Sequence, residues 1–243
     1  MKYQLETIPV WDAVENHADS CIICGLMEDS LQRKVSYYLG NSVMNPETRL
    51  QVNHRGFCPE HYGMLSEEKK PQSLALMSHT RLQETVRHLQ PLIRQLGSSK
   101  TPRGVRKLAK QLESAAAQRE AGCLICDALQ DDLNRYEFTL VHLWGSDSEF
   151  VEAFSKSGGV CLHHLPSLVE MAPEGLSGET LREFCGYLSS QMEAWLAKAI
   201  DEVQWQTQMY KSESAGKDWR GCQEAHKRAV RREIGRARIH DQG

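Results

Sequence analysis

No run of 18 apolar residues occurs anywhere in this 243-residue chain, and its first twenty residues, MKYQLETIPVWDAVENHADS, hold no apolar core of a secretion signal. Membrane spanning and export are therefore not expected, and the cytoplasm is the expected compartment. Net charge is also nearly absent, at −3 with 25% charged residues, so no chain-wide pull toward nucleic acid or anionic lipid exists. Any basic binding surface must be local. Proline and glycine are sparse, and alternating β-branched runs are few. Leu, Ala, Gln, Glu, Lys and Arg instead favour helix nearly throughout, and the fold class expected is all-α. Enzyme signatures are missing as well: there is no Walker loop, GxGxxG or HExxH, and Gly175-Leu176-Ser177-Gly178 does not complete a nucleophile elbow. Carboxylates are plentiful but fall on polar helix faces, where solvated surface is the simplest reading. A non-enzymatic protein is expected.

What the chain does have is cysteine in a repeated arrangement. Cys21 and Cys24 precede Cys58 and His61, and Cys123 and Cys126 precede Cys161 and His164. The gap from Cys24 to Cys58 is 34 positions and that from Cys126 to Cys161 is 35, so C-x2-C, a long spacer and C-x2-H occur twice. The likeness extends beyond the ligands. The stretch from Cys21 to Arg33 matches that from Cys123 to Arg135 at both cysteines and at Ile23/Ile125, Asp29/Asp131, Leu31/Leu133 and Arg33/Arg135. Gly56 to Leu65 likewise matches Gly159 to Leu168. Offsets of 102 and then 103 residues are what a tandem duplication with one insertion leaves. The expected division is a first module over 1–120 and a second over 121–243. A chain of this length can bury about 70–75% of the surface its unfolded form exposes, so it needs no metal merely to own a core.

Periodicity places the motifs on helices. Met27, Leu31, Val35 and Tyr38 recur at steps of four, four and three, which puts Cys21-Ile22-Ile23-Cys24 at the entrance of an amphipathic helix. Pro59 suits the first position of a helix that carries Cys58 and His61 on one face. Two long stripes follow the CxxH motifs: Leu82, Val86, Leu89, Ile93 and Leu96, then Leu181, Phe184, Leu188, Met192, Trp195, Ala199 and Val203. Core packing is expected for both, with Pro91 kinking or splitting the first. Gly97 to Gly104 is the clearest interruption between the halves.

Three thiolates and one imidazole suit a closed tetrahedral Zn²⁺ site, and a set with no vacant position argues for structure rather than hydrolysis. Two ions per chain are expected, on Cys21, Cys24, Cys58 and His61 and on Cys123, Cys126, Cys161 and His164, each pinning a CxxC turn to a CxxH helix start. Ligands crossing between the halves are the alternative pairing. A [2Fe–2S] or [4Fe–4S] cluster is a further alternative, because sequence fixes ligand type better than metal identity. His163 competes with His164, and the repeat alignment favours His164. His54, His79, His88, His142 and His226 read as surface or hydrogen-bonded histidines, and Cys185 as a buried thiol, while Cys222 has no evident partner. Without an export signal, these cysteines are better read as ligands or buried thiols than as a disulfide framework. The run from Lys227 to Arg238 is the one concentrated basic patch. With no interleaved aromatics, an exposed helix end is its simpler reading and phosphate contact the alternative.

The combination of Ile8-Pro9-Val10-Trp11-Asp12-Ala13, Cys21-Ile22-Ile23-Cys24, Gly56-Phe57-Cys58-Pro59-Glu60-His61, a second CxxC and Gly159-Val160-Cys161-Leu162-His163-His164 resembles an uncharacterised prokaryotic family, catalogued as a domain of unknown function. The resemblance implies a duplicated, cysteine-rich helical protein with no established activity. Two functional classes remain. One is a metal-stabilised protein that binds another protein or itself; the other is a metal or redox sensor whose thiolates release the ion on oxidation. Buried sulfurs favour the first, and solvent-open thiolates near basic residues the second.

Overall fold

The computed structural model describes residues 3–17 and 20–235, and among them there are eleven α-helices and no strand. They are α1 (Thr7–Asn16), α2 (Ile22–Leu39), α3 (Pro46–His54), α4 (Pro59–Glu67), α5 (Pro71–Ser98), α6 (Pro102–Glu120), α7 (Leu124–Ser146), α8 (Ser148–Lys156), α9 (Leu165–Gly175), α10 (Gly178–Met209) and α11 (Ala225–Ile234). Local chemistry sets their starts. Pro46, Pro59, Pro71 and Pro102 each open a helix, where a missing N–H costs nothing. Side-chain caps add to this: Asn45 accepts from the Glu47 N–H, Thr101 from Gly104, and Asp147 from Glu149 and Phe150.

The helices form two compact units, Met1–Asp29 with Asp131–Gly243, and Ser30–Gln130. This differs from the tandem division at 120/121, and the reason lies in which ligands meet, as described below. The first unit is built around Ile22, Ile23, Leu140, Phe150, Phe154, Leu168 and Phe184, all fully buried, with the Trp144 ring against Phe154, Phe184 and Tyr187. The second is built around Val35, Leu39, Leu65, Met77 and Ile125, with Phe57 edge-on to Tyr38 at 4.9 Å and to Tyr62 at 5.3 Å. The repeat partners Ile23 and Ile125 thus occupy equivalent core positions in different units, as do Leu65 and Leu168.

Helix α5 departs from expectation in its stripe, and of the kink or split expected at Pro91 the split does not occur. The helix continues through Pro91 without splitting, and Pro91 is exposed, where an unpaired carbonyl costs least. Its apolar stripe is not core: Leu82 is 62% and Ile93 53% exposed, and Met77 is the helix's one fully buried residue. The stripe of α10 does pack inward at Phe184, Leu188 and Met192.

Candidate metal centres

Each CxxC is a short turn that opens a helix. The Cys24 N–H points at the Cys21 sulfur at 3.4 Å, and the Cys126 N–H at the Cys123 sulfur at the same distance. The CxxH segments differ slightly. Cys58 caps α4 and His61 lies in its first turn, whereas Cys161 and His164 form a turn just before α9. Both CxxH loops begin with a glycine at positive φ, Gly56 at 69° and Gly159 at 62°. Their carbonyls accept from the residue after the first cysteine of a CxxC, but of the other repeat: Leu124 N–H donates to Gly56 at 3.1 Å, and Ile22 N–H to Gly159 at 3.0 Å.

Ligands are therefore exchanged between the repeats. Cys21, Cys24, Cys161 and His164 form one group and Cys58, His61, Cys123 and Cys126 the other, with the donor atoms of each group all within 4.8 Å of one another. The within-half pairing is corrected on this point, and the same exchange explains why the compact units cross the repeat boundary. In the first group, His164 Nδ1 lies 3.7, 3.5 and 3.3 Å from the sulfurs of Cys21, Cys24 and Cys161, and the Cys24 and Cys161 sulfurs are 3.7 Å apart. In the second, His61 Nδ1 lies 3.1, 3.3 and 3.4 Å from Cys58, Cys123 and Cys126, and the Cys58 and Cys126 sulfurs are 3.9 Å apart. Ligands at zinc–sulfur and zinc–nitrogen bond lengths on a tetrahedron stand about 3.8 Å apart for two sulfurs and about 3.6 Å for sulfur and nitrogen. Both groups have the dimensions of one ion's coordination shell.

Their surroundings differ. All four residues of the first group are buried; in the second, Cys58 is half-buried and Cys126 exposed. Among the protein's own groups, burial pushes the Cys21 thiol well up, helped by its sulfur neighbours. Hydrogen bonds from Cys21, Cys24 and His164 hold the Cys161 thiol far below its usual range. Burial opposes the charged form of His164, but its bonds with Cys161 and Cys24 outweigh that and raise it to about 9. In the second group, partial burial and the bonds with Cys123 and Cys58 push Cys126 up to about 12. A divalent ion would neutralise thiolates crowded this closely.

His163 is exposed, its ring edge-on to His164 at 4.9 Å, and it belongs to neither group. His54 and His79 are exposed, His88 pairs with Glu84 at 3.0 Å, His142 stacks on Phe138, and His226 bonds Gln206. Cys185 is half-buried and Cys222 buried, and neither joins a group.

Two features escaped the sequence. Glu137 is a buried carboxylate, 1% exposed, accepting a 2.5 Å bond from Ser167. Burial raises it to about 7 against the pull of that bond and of His164. Its flanks, Tyr136 and Phe138, both buried, were the available signal. The second is where the basic run packs, since the sequence shows its charge but not its place. Arg228, Arg231 and Arg232 on α11 are half-buried and line, with Ser20, Cys21, Cys24 and Cys161, a cavity of about 260 Å³. The expected exposed helix end is thus corrected for these three; residues 236–238 of the run lie outside the described residues.

Fold and site together define a duplicated, all-helical protein with two four-residue Cys/His groups that can hold metal ions. The chain belongs to DUF6062, a family of unknown function, whose profile matches residues 1–239. No curated protein and no solved structure matches it.

Proposed function

We propose that this is a non-enzymatic helical protein that binds two zinc ions, one per Cys3His group, as structural centres, and that presents its surface to another protein or to a second copy of itself. The observation that carries the reading is the donor spacing. All four donors of each group lie within 4.8 Å of one another, which suits a single shared ion, whereas an iron–sulfur cluster spreads its four ligands over more than one iron and holds the set farther apart. Four protein donors at each centre leave no position for substrate, which supports structure over catalysis. The exposed apolar stripe of α5, with Leu82, Val86, Ile93 and Leu96, supports a protein-binding role. The α11 arginines are turned toward a cysteine-lined cavity, which weakens the case for nucleic acid. No helix among the described residues is long and apolar enough to cross a membrane. A reducing compartment such as the cytoplasm suits eight cysteines that form no disulfide.

Elemental analysis of gently purified protein tests the reading, with two equivalents of zinc per chain as the expected result. Less than one ion per chain, with the thiols titrating freely, would falsify it. One observation favours the sensor as a second reading: Cys126 is exposed. Structural centres keep their zinc under mild peroxide, and rapid reversible release coupled to altered partner binding would favour the sensor.

A further inference from the structure

We propose, resting on the reading that both groups hold zinc, that the two centres divide their roles: the first retains its ion beneath a cationic cover formed by α11, and the second is the exchangeable site, opened at Cys126. Withdrawal of zinc by a competing ligand is a substitution at the ion. A thiolate must leave, take up a proton, and be replaced by the incoming donor. Access to the sulfur and stabilisation of its negative charge set how readily this happens.

The first centre is closed on both counts. Its three cysteines and His164 are buried, and a centre of three thiolates, one neutral imidazole and a divalent ion carries a formal charge of −1 away from water. Arg228, Arg231 and Arg232 share one cavity with the three cysteines, so the counter-charge is built into the fold. The cover is also fastened. Arg228 pairs with Glu202 on α10 at 2.9 Å, Arg232 lies over the Trp195 ring at 3.3 Å, and the His226 N–H donates to Gln206 at 2.9 Å. Its far end is hooked to the CxxH loop itself, where Leu162 N–H donates to the Arg232 carbonyl at 2.8 Å. A Cβ on the next glycine, Gly235, would stand 3.5 Å from the Cys24 sulfur, so the chain passes directly across that ligand.

The second centre has the same donors and a different outside. Cys126 is exposed, Cys58 half-buried, and the neighbouring Asp127 is engaged by Arg55 at 2.7 Å in a half-exposed pair. An incoming ligand can meet the ion from the Cys126 side and replace one sulfur at a time.

The experiment uses the full-length zinc-loaded protein, an excess of EDTA, and timed detection of released zinc. Two phases of one equivalent each are expected. Cys126→Ser should abolish the fast phase, and Cys24→Ser the slow one, so that either variant assigns the phases if the other folds poorly. Arg231→Gln should speed the slow phase by about tenfold or more, the usual scale for losing a group that orients or neutralises a metal ligand, and leave the fast phase alone. Arg231→Lys keeps the charge and should restore most of the slow rate, which a purely packing role would not predict. A single phase, a slow phase that disappears in Cys126→Ser, or a slow phase indifferent to Arg231→Gln overturns the division of roles while leaving two zinc sites intact. One ion per chain in the zinc-loaded protein overturns the division of roles alone, and less than one overturns both readings.

Discussion

At Cys161 the chain turns so that His164 Nδ1 comes within 3.3 Å of its sulfur, while the His163 ring stays on the outside, edge-on at 4.9 Å. Neighbours in sequence therefore have opposite consequences. His164→Ala is expected to lose about one of two zinc equivalents and to lower thermal stability, and His163→Ala to do neither; metal analysis with calorimetry separates them. Glu137 supplies a second residue-scale prediction. Its folded value of about 7 lies above the ordinary 4.5, so the native state holds its proton longer than the unfolded chain. The associated stability is fully present below about pH 4.5 and is lost as pH rises through about 7, a change of up to about 3 kcal/mol. Glu137→Gln should flatten this slope and gain stability at pH 8, measured by denaturant unfolding at saturating zinc. An unchanged slope between pH 5 and 8 would show that Glu137 does not titrate as its burial implies.

The elements meet where small residues permit it. A Cβ on Gly158 would stand 2.0 Å from the Ser20 carbonyl, and the Gly158 N–H donates to the His17 carbonyl at 2.8 Å, so the loop before the second CxxH lies flush against the approach to the first CxxC. The other unit repeats the contact with roles reversed, since Gly122 before its CxxC faces Arg55 before its CxxH. Gly158→Ala must push two backbones apart and is expected to destabilise the first unit by about 2 kcal/mol or more and to weaken zinc retention at Cys21, Cys24, Cys161 and His164. Native-like retention of both ions in this variant would show that the loops can part. At this scale the sequence was informative about periodicity and mute about partners. The CxxC helix entrance, the Pro59 helix start and the interruption near residues 97 to 104 follow from spacing and backbone chemistry, and the structure has them. The stripe on α5 satisfied the same period but stayed exposed, because periodicity defines a face without saying what covers it. Likewise the eight candidate ligands were legible from their repeat, while their pairing was not: identical motifs offer the same donors to either partner, and only long-range packing distinguishes them.

For the molecule as a whole, each centre lies within one compact unit. Structural zinc contributes about 10–16 kcal/mol of apparent binding free energy at neutral pH, comparable with the entire stability of a domain. His61→Ala should therefore loosen the unit Ser30–Gln130 selectively, with hydrogen exchange read by mass spectrometry rising there and remaining protected around Phe150, Phe154 and Phe184. Uniform loosening throughout would mean that the two units do not hold their ions independently.

The exchange of ligands between repeats also has a consequence in time. A chain emerging from synthesis at about 5–20 residues per second presents Cys21, Cys24, Cys58 and His61 together before Cys123 exists, an interval of about 3–12 s for the 62 positions from His61 to Cys123. Those four make a complete Cys3His set with the wrong membership. On the zinc reading, the earliest site the growing chain offers is one that the finished protein has to take apart, and the native grouping is nested, with the centre at 58–126 able to close before the one at 21–164. On that reading, zinc supplied during synthesis is expected to favour the early pairing and zinc supplied after release the native one, so that maturation would turn on when the metal arrives as much as on how tightly it is held.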